Sequence, residues 1–69
     1  MRVSLYLPCY GNMVRAMDAE RILPSTAVAL VCALRQTHKQ AGSRIELRLD
    51  SGEWLSTEVL TPNGWIRSV

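Results

Sequence analysis

The 69-residue chain has few of the residues that build metal or redox sites, with only two cysteines and one histidine. Cys9 and Cys32 lie far apart without a C-x-x-C spacing, and His38 is the single histidine. A structural zinc site needs four ligands at short paired spacings. The sequence therefore predicts no metal site. A disulfide between the two cysteines is left open, although free thiols in a reducing cytoplasm are the expectation.

Long hydrophobic runs are also missing. The longest, from Ala27 to Leu34, has eight residues, whereas a bilayer-spanning helix needs about 20. The N-terminal residues lack the apolar core and small-residue cleavage site of a signal peptide. We therefore expect no membrane partner and a cytoplasmic location.

Catalytic and cofactor signatures are the third absence. The chain contains neither a G-x-x-x-x-G-K nor a G-x-G-x-x-G motif, so no phosphate-binding loop is predicted. A Cys9–His38 nucleophilic pair has no support from spacing. The acidic residues are scattered and are expected on the solvated surface: Asp18, Glu20, Glu46, Asp50, Glu53 and Glu58. We predict no enzyme activity, no catalytic residue and no cofactor.

Arginine dominates the charge that is present. The chain has a formal net charge of +2, with seven arginines and one lysine, Lys39. Arginine makes bidentate contacts to carboxylate and phosphate, which favours a role at an interface. The composition of a GC-rich genome would produce the same bias, and the sequence does not separate the two explanations.

The N-terminal third predicts two strands. Val3, Leu5 and Leu7 alternate with polar residues, as expected for a strand with one buried face. Residues 13–17 are compatible with a strand or a short helix, and we favour the strand.

A helix is predicted over residues 26–40, capped by Ser25 and stapled by Leu23. Gly42 is expected to supply its left-handed exit. Three further strands should follow, separated by turns at residues 50–52 and at the Asn63–Gly64 dipeptide.

These elements predict a single α+β domain over residues 1–69. Its order is β-β-α-β-β-β, with one helix on one face of a four- or five-stranded, mainly antiparallel sheet. A single helix covers only one side of a sheet, so the other side should be open. The residues expected there are Arg2, Ser4, Tyr6, Arg44, Glu46 and Arg48, joined by Trp65 and Arg67.

The open side mixes guanidinium groups with aromatic rings, which suggests a binding surface. The predicted partner-binding residues are Tyr6, Arg44, Arg48, Trp65 and Arg67. Arginine, tyrosine and tryptophan are enriched at interface hot spots, which favours a host protein or protein complex as partner. The alternative is a small nucleic-acid-binding protein that stacks bases on this face. We rank it second because the net charge is low and no RNP-like aromatic pair occurs.

The predicted helix is apolar beyond the stripe that should face the sheet. Ala27, Leu30, Val31 and Leu34 form that stripe. The outer stripe, Val28, Ala29, Cys32 and Arg35, is predicted to form a homodimer interface between the helices of two copies. Folding of residues 13–23 over the helix is the alternative cover.

The C-terminal region resembles small phage-borne anti-CRISPR inhibitors of the type I-F class. The residues that carry the resemblance are Arg44, Ile45, Glu46, Gly52, Trp54, Leu55 and Trp65. It covers about a third of the chain, and the N-terminal half and the apolar helix do not follow the family's pattern. The resemblance implies a small inhibitor that occludes a surface on a host complex such as a CRISPR effector, without catalysis.

Overall fold

A computed structural model describes residues 1–68 and confirms the predicted α+β architecture. The elements are β1 (Arg2–Cys9), β2 (Asn12–Ala19), α1 (Pro24–Thr37), β3 (Arg44–Arg48), β4 (Trp54–Thr61) and β5 (Gly64–Arg67). The strands form one antiparallel sheet in the order β2-β1-β3-β4-β5. The centre of this sheet is β3, which joins the N-terminal hairpin to the C-terminal meander.

The N-terminal hairpin resolves the ambiguity in the sequence after the first strand. Residues 13–17 lie within β2, so the favoured strand is confirmed. The turn places Tyr10 and Gly11 at φ of 50° and 82°, the left-handed geometry of tight hairpin turns. Leu5 pairs with Met17 and Tyr6 with Arg15, so the residue between these partners forms a bulge in β2.

The core lies between α1 and the two central strands. Ala27, Val31 and Leu34 of the helix are buried against three fully or almost fully buried strand residues: Val3, Leu5 and Ile45. Leu30 packs against the same cluster while partly exposed. The predicted sheet-facing stripe of the helix is confirmed.

The ends of the helix differ from the prediction. It begins at Pro24 with Leu23 as N-cap and no side-chain cap, because the fixed φ of proline suits the first helical position. Leu23 is 70% exposed and makes no staple. At the other end, His38 is already extended and terminates the helix. Gly42, at φ +90°, instead donates its N–H to the Leu60 carbonyl in the turn before β3.

The helix covers only part of the sheet, since it packs on β1 and β3. A helix is about 10 Å wide with its side chains, whereas five strands about 4.8 Å apart span roughly 20 Å. The side of β4 and β5 that faces α1 therefore lies beside the helix and not beneath it.

A bulge in β4 decides which of its residues face the helix. Leu47 pairs with Ser56 and Arg48 with Trp54, which leaves Leu55 as the extra residue. Ile45 pairs with Glu58, so Glu58 faces the helix side of the sheet.

The side chains of β5 point to the same face of the sheet as the β4 residues with which they pair. Trp65 lies opposite Leu60 and Arg67 opposite Glu58, which puts both β5 side chains on the helix side. The predicted position of Trp65 and Arg67 on the open side is wrong, because simple alternation in the sequence did not include the bulge.

Candidate functional site

The face of the sheet opposite α1, called here the open face, brings polar residues of several strands into register. Tyr6 pairs with Arg44, Ser4 with Glu46 and Arg2 with Arg48 across β1 and β3. Residues directly opposite each other in an antiparallel pair have Cβ atoms about 5 Å apart, so their side chains interact. Strand pairing thus builds a continuous polar surface from residues that are distant in sequence.

Glu46 is the centre of this surface and is only 4% exposed. Its Oε1 accepts a hydrogen bond of 2.9 Å from Arg48 Nη2, and its Oε2 lies 3.1 Å from Arg44 Nε. The sequence Arg-Ile-Glu-Leu-Arg explains the arrangement, because strand alternation places these three charged side chains on one face. A carboxylate held between two guanidinium groups is stable where an unpaired buried charge would not be.

Both arginines beside Glu46 also stack on aromatic rings. The guanidinium carbon of Arg44 lies 4.8 Å from the centre of the Tyr6 ring, and that of Arg48 lies 3.9 Å from the Trp54 ring. Cation–π contacts of this kind orient the guanidinium plane. The arginine–aromatic row is defined as Tyr6, Arg44, Glu46, Arg48 and Trp54. Each arginine in it is fixed on two sides.

A second cluster on the open face surrounds Asp18 of β2. Arg2 binds it in a bidentate manner, with Nε at 2.8 Å and Nη2 at 2.7 Å from the two carboxylate oxygens. Ser4 Oγ donates to the same group at 3.0 Å, and Arg15 Nη1 lies 3.3 Å away. The hydrogen bond from Arg2 is the main reason that the pKa of Asp18 falls to about 2. The carboxylate is therefore ionised at neutral pH.

Charge on the open face is compensated in part, with one carboxylate for every two guanidinium groups. Two carboxylates, Asp18 and Glu46, are each contacted by two guanidinium groups. Compensation lowers the local positive potential and fixes the side chains in one arrangement. The surface is therefore ordered and polar, with Trp54 48% exposed as its largest apolar element.

A groove of about 560 Å³ lies on the other side of the sheet, between α1 and the uncovered parts of β4 and β5. The α1–β4–β5 groove is lined by Val28, Val31, Cys32, Arg35, Leu47, Leu55, Ser56, Glu58, Trp65 and Arg67. Arg35 donates to both oxygens of Glu58, at 2.8 Å from Nε and 2.7 Å from Nη2. Trp65 Nε1 donates to the Arg35 carbonyl at 3.1 Å. These bonds tie the helix to the outer strands.

Two acidic residues expected on the solvated surface are buried instead. Glu46 is 4% and Glu58 8% exposed. Hydrogen bonding to Glu58 raises the pKa of Arg35, so the guanidinium of this pair stays charged. Strand alternation puts Glu46 on the same face as Arg44 and Arg48, so its pairing could have been predicted from the sequence. The pairing of Glu58 with Arg35 depends on where the helix lies over the sheet.

The structure divides the predicted site residues between the two surfaces. Tyr6, Arg44 and Arg48 come together on the open face, while Trp65 and Arg67 line the groove. Trp54 was not predicted to belong to the row, because only the bulge at Leu55 places Trp54 opposite Arg48.

The predicted outer stripe of the helix is also divided. A helix turns about 100° per residue, so Ala29 points away from the sheet while Val28, Cys32 and Arg35 lie on the groove side of the helix. Val28, 59% exposed, and Arg35 both line the groove. Arg35 is thus half-buried and paired with Glu58, contrary to its predicted outward position.

Both cysteines, Cys9 and Cys32, are exposed and free, so they do not form the disulfide that the sequence left open. Among residues 1–68, no group of three or more His, Cys, Asp or Glu side chains is placed to hold a metal ion. Within the same range, no helix has the length and hydropathy needed to cross a membrane.

Comparisons with protein-family models, with curated proteins and with solved structures found no match for this chain. The open face and the α1–β4–β5 groove are therefore the observations that bear on function.

Proposed function

We propose that this protein is a non-catalytic module that binds another protein through the arginine–aromatic row of its open face. The observation that carries the proposal is the pair of stacks, Arg44 on Tyr6 and Arg48 on Trp54, on either side of buried Glu46. Arginine, tyrosine and tryptophan dominate binding energy at protein interfaces. Because the arginines are already held in place, little side-chain entropy is lost on binding.

The partial compensation of charge and the occupied aromatic rings favour a protein over a nucleic acid as partner. Binding to phosphates depends on cations that release counterions, and it weakens steeply as salt rises from about 50 to 200 mM. Glu46 offsets one of the two positive charges of the row, and the guanidinium groups occupy one side of the aromatic rings that bases would need. Nucleic-acid binding by this face is the second candidate, and a steep salt dependence would identify it.

Exchange of arginine for lysine in the row tests the proposal. The double variant Arg44→Lys, Arg48→Lys keeps the positive charges around Glu46 but loses the planar guanidinium groups that stack on the Tyr6 and Trp54 rings. Arg21→Lys is the matched control, because Arg21 is exposed and lies outside the row. Charge reversal to glutamate is a poor choice, since it would place three carboxylates together.

The measurement is nuclease-treated affinity capture from host lysate, followed by titration of the captured protein against each variant. We expect wild type and Arg21→Lys to bind it equally, and the double variant to lose most of its affinity while keeping its melting temperature. Equal binding by all three proteins would contradict the proposal. Recovery of nucleic acid alone, lost on nuclease treatment, would support the second candidate.

The resemblance of the C-terminal region implies a specific form of this function, occlusion of a surface on a CRISPR effector. It stays a prediction, and a purified type I-F surveillance complex tests it directly. Addition of the wild type should block target-DNA binding by the complex, whereas the double lysine variant should not. Full DNA binding at saturating wild-type protein would rule out this role and leave the general binding proposal standing.

Homodimerisation through the outer stripe of α1 also stays a prediction. The two small residues of this stripe, Ala29 and Cys32, would allow close approach of a second helix but bury little apolar area. Light scattering of the wild type and of Val28→Asp at high micromolar concentration is the test. A monomeric wild type would exclude the dimer.

A further inference from the structure

The arginines of the arginine–aromatic row keep hydrogen-bond donors that the fold does not use. Arg48 donates one hydrogen bond to Glu46 Oε1 through Nη2, and Arg44 Nε lies 3.1 Å from Glu46 Oε2. Within residues 1–68, neither Nη of Arg44 donates a hydrogen bond. A guanidinium carries five N–H donors in a planar fork. The outer end of Arg44 can therefore bind a carboxylate through two parallel hydrogen bonds.

Positive charge is in excess at the row and not at the neighbouring Asp18 cluster. In the cluster, Arg2 and Arg15 both contact Asp18. Glu20, which directly follows β2, adds a second carboxylate 3.7 Å from Arg2. In the row, two guanidinium groups share the single carboxylate of Glu46. The row therefore attracts an anionic group more strongly than the cluster does.

The two ends of the row differ in character. Arg44 is the more exposed of the two arginines, at 37% against 25% for the Arg48 side chain, so the cation is most accessible at that end. At the other end, the exposed ring of Trp54 stacks with Arg48 and can cover an apolar side chain of a partner. The row therefore suits a segment that combines an acidic residue with an apolar one.

The register of β3 sets the distance between these two ends. Arg44 and Arg48 are four residues apart in one strand, and Trp54 pairs with Arg48. At about 3.3 Å per residue, the two ends lie roughly 13 Å apart. An extended segment of a partner spans the same distance with four residues.

We propose that the row binds an extended acidic segment of a partner protein, with a carboxylate on Arg44 and an apolar side chain four residues away on Trp54. This inference rests on the function proposed for the open face and adds the chemistry of the partner. A nucleic-acid strand is the less favoured occupant, because phosphate binding relies on several cations and the row has one in excess.

Three blocked pentapeptides test the charge and the spacing without a change in the protein. The first has glutamate at its start, leucine at its end and three serines between them. The second carries glutamine in place of glutamate, and in the third the leucine directly follows the glutamate. Each is titrated to millimolar concentration while NMR follows the indole and guanidinium N–H signals of the wild type.

We expect the first peptide to bind saturably and about three-fold tighter than the glutamine peptide, which is the size of effect that a partly exposed ion pair produces. The third peptide should also bind more weakly, because it cannot reach both ends of the row. The indole signal of Trp54 should shift. That of Trp65, which lies on the helix side of the sheet, should stay in place.

Substitution of Arg44 assigns the charge preference to the row. In Arg44→Gln, the glutamate and glutamine peptides should bind equally. Arg21→Gln is the matched control, because it removes one exposed positive charge outside the row and should keep the preference. Circular dichroism confirms that each variant is folded, and the comparison of peptides on the wild type does not depend on either variant.

Several results would overturn the proposal. Equal affinity of the wild type for the glutamate and glutamine peptides would do so, as would a response of Trp65 in place of Trp54. Binding of oligothymidylate at physiological salt, with no response to the peptides, would identify a nucleic-acid strand as the occupant. The capture experiment with the double lysine variant is independent of these outcomes. A captured protein that still depends on Arg44 and Arg48 would preserve the proposed function and exclude only this partner chemistry.

Discussion

The two faces of the sheet accommodate their side chains by different means. On the helix side, Leu5 and Ile45 are removed from water by α1. Their neighbours in the strands, Tyr6 and Arg44, point to the open face. These two side chains stay partly exposed and are held by stacking and charge pairing. The first face supplies the stability of the fold, whereas the second supplies an ordered surface at little cost in stability. Substitutions on the two faces should therefore separate folding from binding.

The helix side itself is not uniform. Its half over β1 and β3 is a closed core, whereas its half over β4 and β5 is the α1–β4–β5 groove. The difference follows from the width of one helix on five strands, and it leaves Val28 59% exposed. This uncovered half accounts for part of the unusual apolar character of α1. Val28 faces a groove of its own chain, so its apolar side chain does not by itself require a second copy.

The largest difference between the faces is expected for adjacent residues of β1. Leu5→Ala should lower the free energy of unfolding by about 3 kcal/mol, because it leaves a cavity in the core. Tyr6→Ala removes one stacking partner from a half-exposed position and should cost about 1 kcal/mol or less. Urea unfolding followed by circular dichroism measures both. Equal losses would show that the open face contributes to stability as much as the core.

The two buried carboxylates provide the next comparison. Glu46→Gln removes the charge between Arg44 and Arg48, whose side chains are 37% and 25% exposed, and leaves two guanidinium groups facing each other. We expect a loss of about 2 kcal/mol, below the range for fully buried pairs because solvent screens the arginines. Glu58→Gln should cost about 1 kcal/mol, because Arg35, at 39% exposed, has direct access to water. A larger loss for Glu58→Gln than for Glu46→Gln would mean that the Arg35–Glu58 pair contributes more to stability than the pairs of Glu46. Urea unfolding with the wild type as reference decides between them.

Much of this comparison could be predicted from the sequence. In β1 and β3, the alternation of apolar and polar residues correctly predicted which side chains face the helix and which lie on the open face. A strand has a period of two, and the face against the helix had to be apolar. Trp65 and Arg67 were misplaced because the bulge at Leu55 breaks that period, and no turn residue marks it. The pairing of Glu58 with Arg35 could not be predicted, because it depends on the lateral position of α1 over the sheet. The groove follows from the same position.

A pH titration tests the Asp18 cluster of the open face. The pKa of Asp18 in the folded chain is about 2, below its ordinary value of 3.8, so the folded state holds the ionised form. Its contribution to stability is therefore present above pH 4 and is lost as the pH falls toward 2.

Asp18→Asn should lower stability by about 1 kcal/mol at neutral pH. Near pH 2 most of this difference from the wild type should be lost. Thermal unfolding at stepped pH measures the difference, with Glu20→Gln as control, since Glu20 lies 3.7 Å from Arg2 and is 60% exposed. An undiminished difference at pH 2 would contradict the pairing.

The smallest effect is expected at the start of α1, where the predicted Ser25 cap does not form. Ser25 lies inside the helix, after Pro24, and no side chain caps the N-terminus. Ser25→Ala should therefore change stability by less than about 0.5 kcal/mol, whereas loss of a true serine cap costs about 1 kcal/mol. Ser43→Ala is the matched comparison, because Ser43 is buried and its hydroxyl donates to the Gln40 carbonyl at 2.6 Å. That substitution removes a short hydrogen bond at a buried position and should cost about 1 kcal/mol, while the backbone N–H of Ser43 still donates to the same carbonyl at 3.2 Å. Urea unfolding of the two alanine variants therefore distinguishes a helix held at its entrance by proline and core packing from one held by a serine cap.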